Sequence, residues 1–321
     1  MKTASFLTVF VALLLLGIPS LGDCRQESIR IGYLQSDIHQ LACWVALDKG
    51  FYRKNGVEVE VAGIFKAGPE EMSAFAAGAL DVGYVGEAPA TTAVANKAAE
   101  VTVLAQVNTE GSAIVVGRDS LVKDVRDLAG KRVAIPGHST VQDFLLKKAL
   151  VKFNVDQKGM NVIVLKPPEM IGALKTGQID AFIAWEPYPA KALTMGVGQV
   201  LLTSHEIWEN HPCCVLVAGN RFLSDRPQDA RALVRAHVEA TSFIRNFSDE
   251  AVAIGVKYTG MDEPTVRLAM KNVTYTYVLS IEGEMEYVDF LSRMKYIQRM
   301  DPEAFVREFI NQEILGDIIK K

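Results

Sequence analysis

Two hydrophobic periods alternate along the chain. Ser28–Tyr33 (SIRIGY) sets apolar against polar residues at every second position, which predicts a strand. After the polar loop Gln35–His39, Trp44, Leu47 and Phe51 fall on one face of a predicted helix over Leu41–Lys54, closed near Asn55-Gly56. Val57, Val59 and Val61 alternate with Glu58 and Glu60, a second strand over Val57–Ile64. The loop Lys66–Pro69 leads into a helix over Glu70–Ala77, with Pro69 at its start and Gly78 at its end. Ala79–Val85 then reads as a buried third strand.

The same order recurs downstream. A strand is predicted over Lys131–Ile135, a polar loop over Pro136–Thr140 and a helix over Val141–Phe153. A strand over Asn161–Leu165, a helix over Glu169–Lys175 and a strand over Gln178–Trp185 follow. The repetition reaches the letters: GALDVGYVGEAPA at 78–90 matches GQIDAFIAWEPYPA at 177–190, 99 residues apart. Strands joined through helices run parallel with right-handed crossovers, so β-α-β-α-β written twice predicts two doubly wound α/β lobes. Ser112–Gly117 and Cys213–Gly219 are apolar runs between polar turns and read as strands passing between the lobes. The final third is helical, at Asp229–Phe247 and near 248–258, 263–272, 283–295 and 302–312, and is expected to pack back on the first lobe. The expected division is residues 25–112 plus 220–321 for lobe I and 113–219 for lobe II, with hinges near 112–118 and 211–219.

Composition narrows the function. Of 321 residues, 49% are apolar and 22% charged, an ordinary globular mix that suits two lobes. A formal charge of −4 and the absence of long basic runs exclude non-specific nucleic-acid binding. The N-terminus changes the picture more. Lys2, the apolar run Phe6–Ile18 and the small residues Ser20 and Gly22 make residues 1–22 a predicted secretory signal peptide. Leu21-Gly22-Asp23-Cys24 also resembles a lipoprotein cleavage site, although Asp23 departs from the small residue expected there. Cys24, Cys43, Cys213 and Cys214 allow three disulfide connectivities between which the sequence does not choose; the adjacent Cys213 and Cys214 are expected to be small buried thiols in a strand, and no cysteine spacing fits a zinc site, so no metal or cofactor is expected.

Taken in order, several segments carry a resemblance: His39 with Trp44-Val45-Ala46, Lys49–Tyr52, Gly56–Val59, Ala76–Gly83, Gly86–Pro89, Asp127–Val133 and Gly177–Ala181. The sequence resembles the solute-binding proteins of ABC importers of the nitrate/sulfonate/taurine type, which share a domain with thiamine-pyrimidine synthesis enzymes. The resemblance implies a two-lobed type II periplasmic-binding-protein clamshell. It implies a monomeric, extracytoplasmic protein without catalysis that hands a small solute to a transmembrane permease coupled to a cytoplasmic ATPase. An enzyme of the thiamine-pyrimidine kind or an exported sensing domain are the alternatives.

Ligands of open α/β sheets sit beyond the carboxyl ends of the strands, where helix N-termini also point. Tyr33, Ser36, His39, Gly68, Ser139, Thr140 and Gln142 occupy such positions and are candidate ligand-binding residues, as are Trp185, Glu87 and Glu186 at the ends of the repeated strands. Trp185 is either core or an aromatic wall. Glu87 and Glu186 either bond local backbone N–H groups or receive a ligand ammonium, and the second role would favour a zwitterion or aminopyrimidine over a bare anion. Asp81 and Asp180, after their helix-ending glycines, are expected to bond local backbone in a turn.

Overall fold

A computed structural model describes residues 27–156 and 159–320. The expected signal peptide and Cys24 lie outside them. Among the described residues, no helix is long and apolar enough to cross a membrane.

The chain forms two mixed sheets flanked by helices. The first is built from β1 (Ile29–Leu34), β2 (Val59–Phe65), β3 (Val82–Gly86), β4 (Val101–Glu110), and later strands; the second opens with β5 (Ser112–Gly117), β6 (Arg132–Ile135), β7 (Asn161–Val164), β8 (Ala181–Trp185) and β9 (Gly198–Thr203). β10 (Pro212–Gly219) and β11 (Val273–Tyr275) return to the first. The spatial orders are β11-β4-β10-β3-β1-β2 and β7-β6-β8-β5-β9. Apart from β11, they are one order used twice. β1, β2 and β3 correspond to β6, β7 and β8, parallel in both; β10 and β5 each lie antiparallel beside the third strand, with β4 and β9 outside them. The repeated phrase is therefore the helix end and third strand of each half.

The two apolar runs expected to cross between lobes do not cross. β5 pairs only within the second sheet and β10 only within the first. The passage is made beside them, at Gly111 and between Thr203 and Pro212.

The aspartates of the repeat also act differently from expectation. Asp81 accepts from the backbone N–H of Arg30 at 2.9 Å and from its guanidinium at 2.7 and 3.1 Å, while Arg30 also reaches the Gly78 carbonyl. Asp180 holds Arg132 at 2.8, 2.9 and 3.0 Å, and Arg132 reaches the Gly177 carbonyl. These are cross-strand clamps joining the first strand of each half to the start of the third, not local turns. Gly78 and Gly177 share a φ of 68°, which a residue with a Cβ rarely adopts.

The helix expected over Leu41–Lys54 is two helices, Leu41–Asp48 and Phe51–Lys54, because Gly50 takes φ 70° between them. The helix Glu87–Ala95 begins within the repeated phrase, directly after β3. The terminal helices pack on the first sheet's helical layer: Trp44 stacks on Tyr258 at 5.2 Å and Phe51 meets Phe243 edge-on.

Candidate functional site

Three helix N-termini converge where the carboxyl ends of the strands in the two sheets face each other. Gly68–Ala76 and Glu87–Ala95 come from the first half and Val141–Lys152 from the second. Gly68, Gly86, Pro89, Thr140, Val141 and Gln142 from their starts line a narrow cavity of about 10 Å3. Trp185, at the end of β8, walls the same cavity and also a second, wider pocket of about 220 Å3 that includes Lys66, Lys166 and Tyr188. Helix starts carry unpaired N–H groups and a positive dipole end, so this arrangement suits an anion. The indole N–H of Trp185 is buried and has no hydrogen-bond partner, a donor whose desolvation is uncompensated.

Local chemistry fixes the polar residues. The Thr140 hydroxyl caps its helix, accepting from the Asp143 N–H and donating to the Gly137 carbonyl at 2.8 Å. Gln142 donates to the Ser112 hydroxyl at 2.9 Å. From the first half, Asp37 and His39 enter the cavity wall with Cys213 and Cys214. Asp37 caps the turn Ile38–Gln40, accepting from the His39 N–H and the Gln40 amide. His39 is fully buried. Its Nε2 lies 2.9 Å from the Gly111 carbonyl, and its Nδ1 lies 3.3 Å from Asp37, 3.5 Å from the Cys213 sulfur and 3.8 Å from the Cys214 sulfur. Burial works against its protonation, but the Asp37 charge and the other partners outweigh this and raise its pKa to about 9.

The sequence candidates divide on placement. His39, Gly68, Thr140, Gln142 and Trp185 line the cavity; Tyr33, Ser36, Ser139, Glu87 and Glu186 do not. Tyr33 lies in the core, edge-on to Trp44. Ser36 donates to the Thr259 carbonyl. Ser139 adopts φ 61° and gives its backbone N–H to Asp143. Glu87 turns into the first lobe, where it accepts from Gln106 at 2.9 Å and shares a buried site with Glu284. Burial pushes its pKa up to about 7, and that of Glu284 further. Glu186 accepts from the Ala190 N–H at 3.0 Å and from Asn272 at 2.6 Å. Its pKa is raised by burial, which those two bonds only partly offset.

Sequence reasoning missed Asp37, Gly86, Pro89, Cys213 and Cys214 as cavity residues. Asp37 could have been found, since an Asp immediately before a helical turn is a cap signal, and it lies in the loop already chosen. The cysteines could not, because they lie 174 and 175 residues from His39.

Comparisons with known proteins agree with this architecture. Residues 22–256 match the model of the NMT1-like family. A Bacillus subtilis protein assigned to aliphatic sulfonate binding is 28% identical over 315 residues, covering 93% of this chain and 92% of its own. The taurine-binding periplasmic protein of Escherichia coli is 27% identical over 237 residues, covering 71% and 72%. The crystal structure of the periplasmic nitrate-binding protein NrtA from Synechocystis superposes with a TM-score of 0.81 at 18% identity, over 92% of this chain and 89% of that one. The fold is the two-lobed periplasmic-binding-protein fold with two mixed sheets, and the chain belongs to the NMT1-like family.

Proposed function

We propose that this protein is the extracytoplasmic solute-binding component of an ABC importer and that it captures a small anion of the sulfonate or nitrate kind. The observation that carries the reading is the interlobe cavity. Three helix N-termini meet there beside Trp185, whose buried indole N–H has no partner, and its lining carboxylate, Asp37, sits against the protonatable His39. Such a site holds an anion with dipoles and neutral donors, and closure of the lobes strengthens those bonds by excluding water. The zwitterion preference drawn from Glu87 and Glu186 loses its support, because both carboxylates are engaged outside the cavity. The lobes close on the solute, and the closed form is what the permease reads. No covalent step is required of any residue.

A thermal-shift screen of the purified protein against taurine, alkyl sulfonates, nitrate, bicarbonate and aminopyrimidines tests this. A solute at a hundredfold excess over Kd adds about 2.7 kcal/mol of stability. The expected outcome is a shift with a sulfonate or nitrate that Gln142→Ala or Trp185→Phe weakens about tenfold in affinity, each removing one donor, and that Glu87→Gln leaves in place. A shift confined to aminopyrimidines, or one lost with Glu87→Gln alone, would overturn the anion reading.

A further inference from the structure

The cavity wall holds a second chemistry that an anion does not use. His39, Cys213 and Cys214 present one nitrogen and two sulfurs that all lie within 4.8 Å of one another, and all three residues are buried. Adjacent residues of a strand ordinarily point to opposite faces. Here the pairing of β10 with β4 slips on both sides of Cys214, and the irregular start of β10 brings both sulfurs to His39. Cys214 lies opposite Gly86, so the sulfurs stand level with the carboxyl end of β3, at the cavity edge.

We infer that His39, Cys213 and Cys214 form a binding site for a thiophilic d10 metal ion such as Zn2+. Tetrahedral bonds of about 2.3 Å to sulfur and 2.0–2.1 Å to nitrogen place those ligand atoms about 3.6 Å apart. The Nδ1 to sulfur separations of 3.5 and 3.8 Å bracket that value before any metal is added. The second shell is equally suited. The Gly111 carbonyl can only accept, so Nε2 carries a proton and Nδ1 is the nitrogen that faces both sulfurs and the Asp37 carboxylate, 3.3 Å away. Gln40 donates to the Cys214 sulfur at 3.7 Å, the kind of contact that steadies a thiolate. Metal entry displaces the two thiol protons, and the Nδ1 proton when His39 is charged, while the one nitrogen and two sulfurs replace water ligands of the incoming ion. Three protein ligands leave a fourth position for water or another ligand, and all three residues also line the cavity that Thr140 and Gln142 line.

The inference stands apart from the identity of the solute, and its test is separate. The purified protein is reduced, stripped with a chelator and titrated anaerobically with Co2+ and then Zn2+. One equivalent of Co2+ should produce thiolate-to-cobalt charge-transfer and tetrahedral d–d bands that Zn2+ abolishes. Cys213→Ser and Cys214→Ser should each lose sulfur intensity, while Cys43→Ser, at a buried thiol outside the cluster, should retain it. Zinc-edge X-ray absorption of the unmutated protein avoids any folding failure of the variants. It should show two sulfurs near 2.3 Å and one nitrogen near 2.0–2.1 Å. Absence of the bands, bands that survive both serine changes, or a zinc shell of nitrogen and oxygen alone would overturn the site. A protein that takes a sulfonate and fails these tests loses the metal site and keeps the solute reading; the reverse result separates them the other way.

Discussion

Glu87 and Glu284 share one buried site with a single compensating donor on each side, Gln106 for one and Thr91 for the other. Two carboxylates so placed cannot both ionise cheaply, and the proton stays between them into the neutral range. A carboxyl whose folded pKa is raised stabilises the fold below its unfolded pKa of about 4.3 and loses that contribution as pH rises through the folded value, here about 7. Stability measured by denaturant titration should therefore fall between pH 4.5 and 7.5, by on the order of 2 kcal/mol. Glu284→Gln keeps a donor for Glu87 and an acceptor for Thr91 and should flatten that slope. An unchanged slope would place the titration elsewhere. At this scale the sequence showed the carboxylates but not their partners. The matching offsets that revealed Asp81 and Asp180 hid Arg30 and Arg132, which precede them by 51 and 48 residues. A repeat search at fixed offsets cannot see a clamp whose two halves drifted by different insertions.

At the scale of elements, hydrophobic patterning located β1, β3, β6 and β8 and the helices between them, because burial dictates their apolar residues, on both faces in β3 and β8. It failed where the backbone, not the side chains, decides. Gly50 splits one apolar helical stripe into two helices. β4 and β9 escaped notice because each lies outside the repeated phrase, beside the antiparallel strand of its sheet. Gly111 is the sharpest case. It takes φ 87° at the passage from β4 to β5, and an added Cβ would stand 2.2 Å from His39 Nε2. Gly111→Ala should lower stability by about 1–3 kcal/mol, from backbone strain and the displaced imidazole together, as read by the midpoint of chemical unfolding. A near-neutral result would mean that the passage can relax without His39.

At the scale of the molecule, the lobes are joined by direct polar contacts. Lys166 meets Glu70 at 2.7 Å, Lys191 meets Asp262 at 2.5 Å, and Asn272 donates to Glu186 at 2.6 Å. Lys191 and the Thr265 hydroxyl and N–H hold the Asp262 carboxyl well below the usual range. Exposed ion pairs contribute little, about 0–1 kcal/mol each. The bond to buried Glu186 matters more, since its loss leaves a buried carboxylate short of a donor at about 1–3 kcal/mol. Asn272→Ala should therefore bias the solute-free protein toward the open form, seen as an increased radius of gyration in small-angle X-ray scattering that added solute reverses. Equal radii with and without the change would show that closure does not depend on this bond. The sequence indicated two lobes and a helical tail, but not that the tail supplies Asn272 to latch the second lobe.

The shared strand order has a consequence for the making of the protein. The second sheet is complete once the ribosome has passed Thr203, from one unbroken stretch of chain. The first is not, because β10 lies between β3 and β4 and is their common neighbour. Until residues 212–219 emerge, β3 and β4 each present an unpaired edge with nothing to join them. The lobe that begins first in the chain must therefore finish last, and its long-range closure sets the pace of folding.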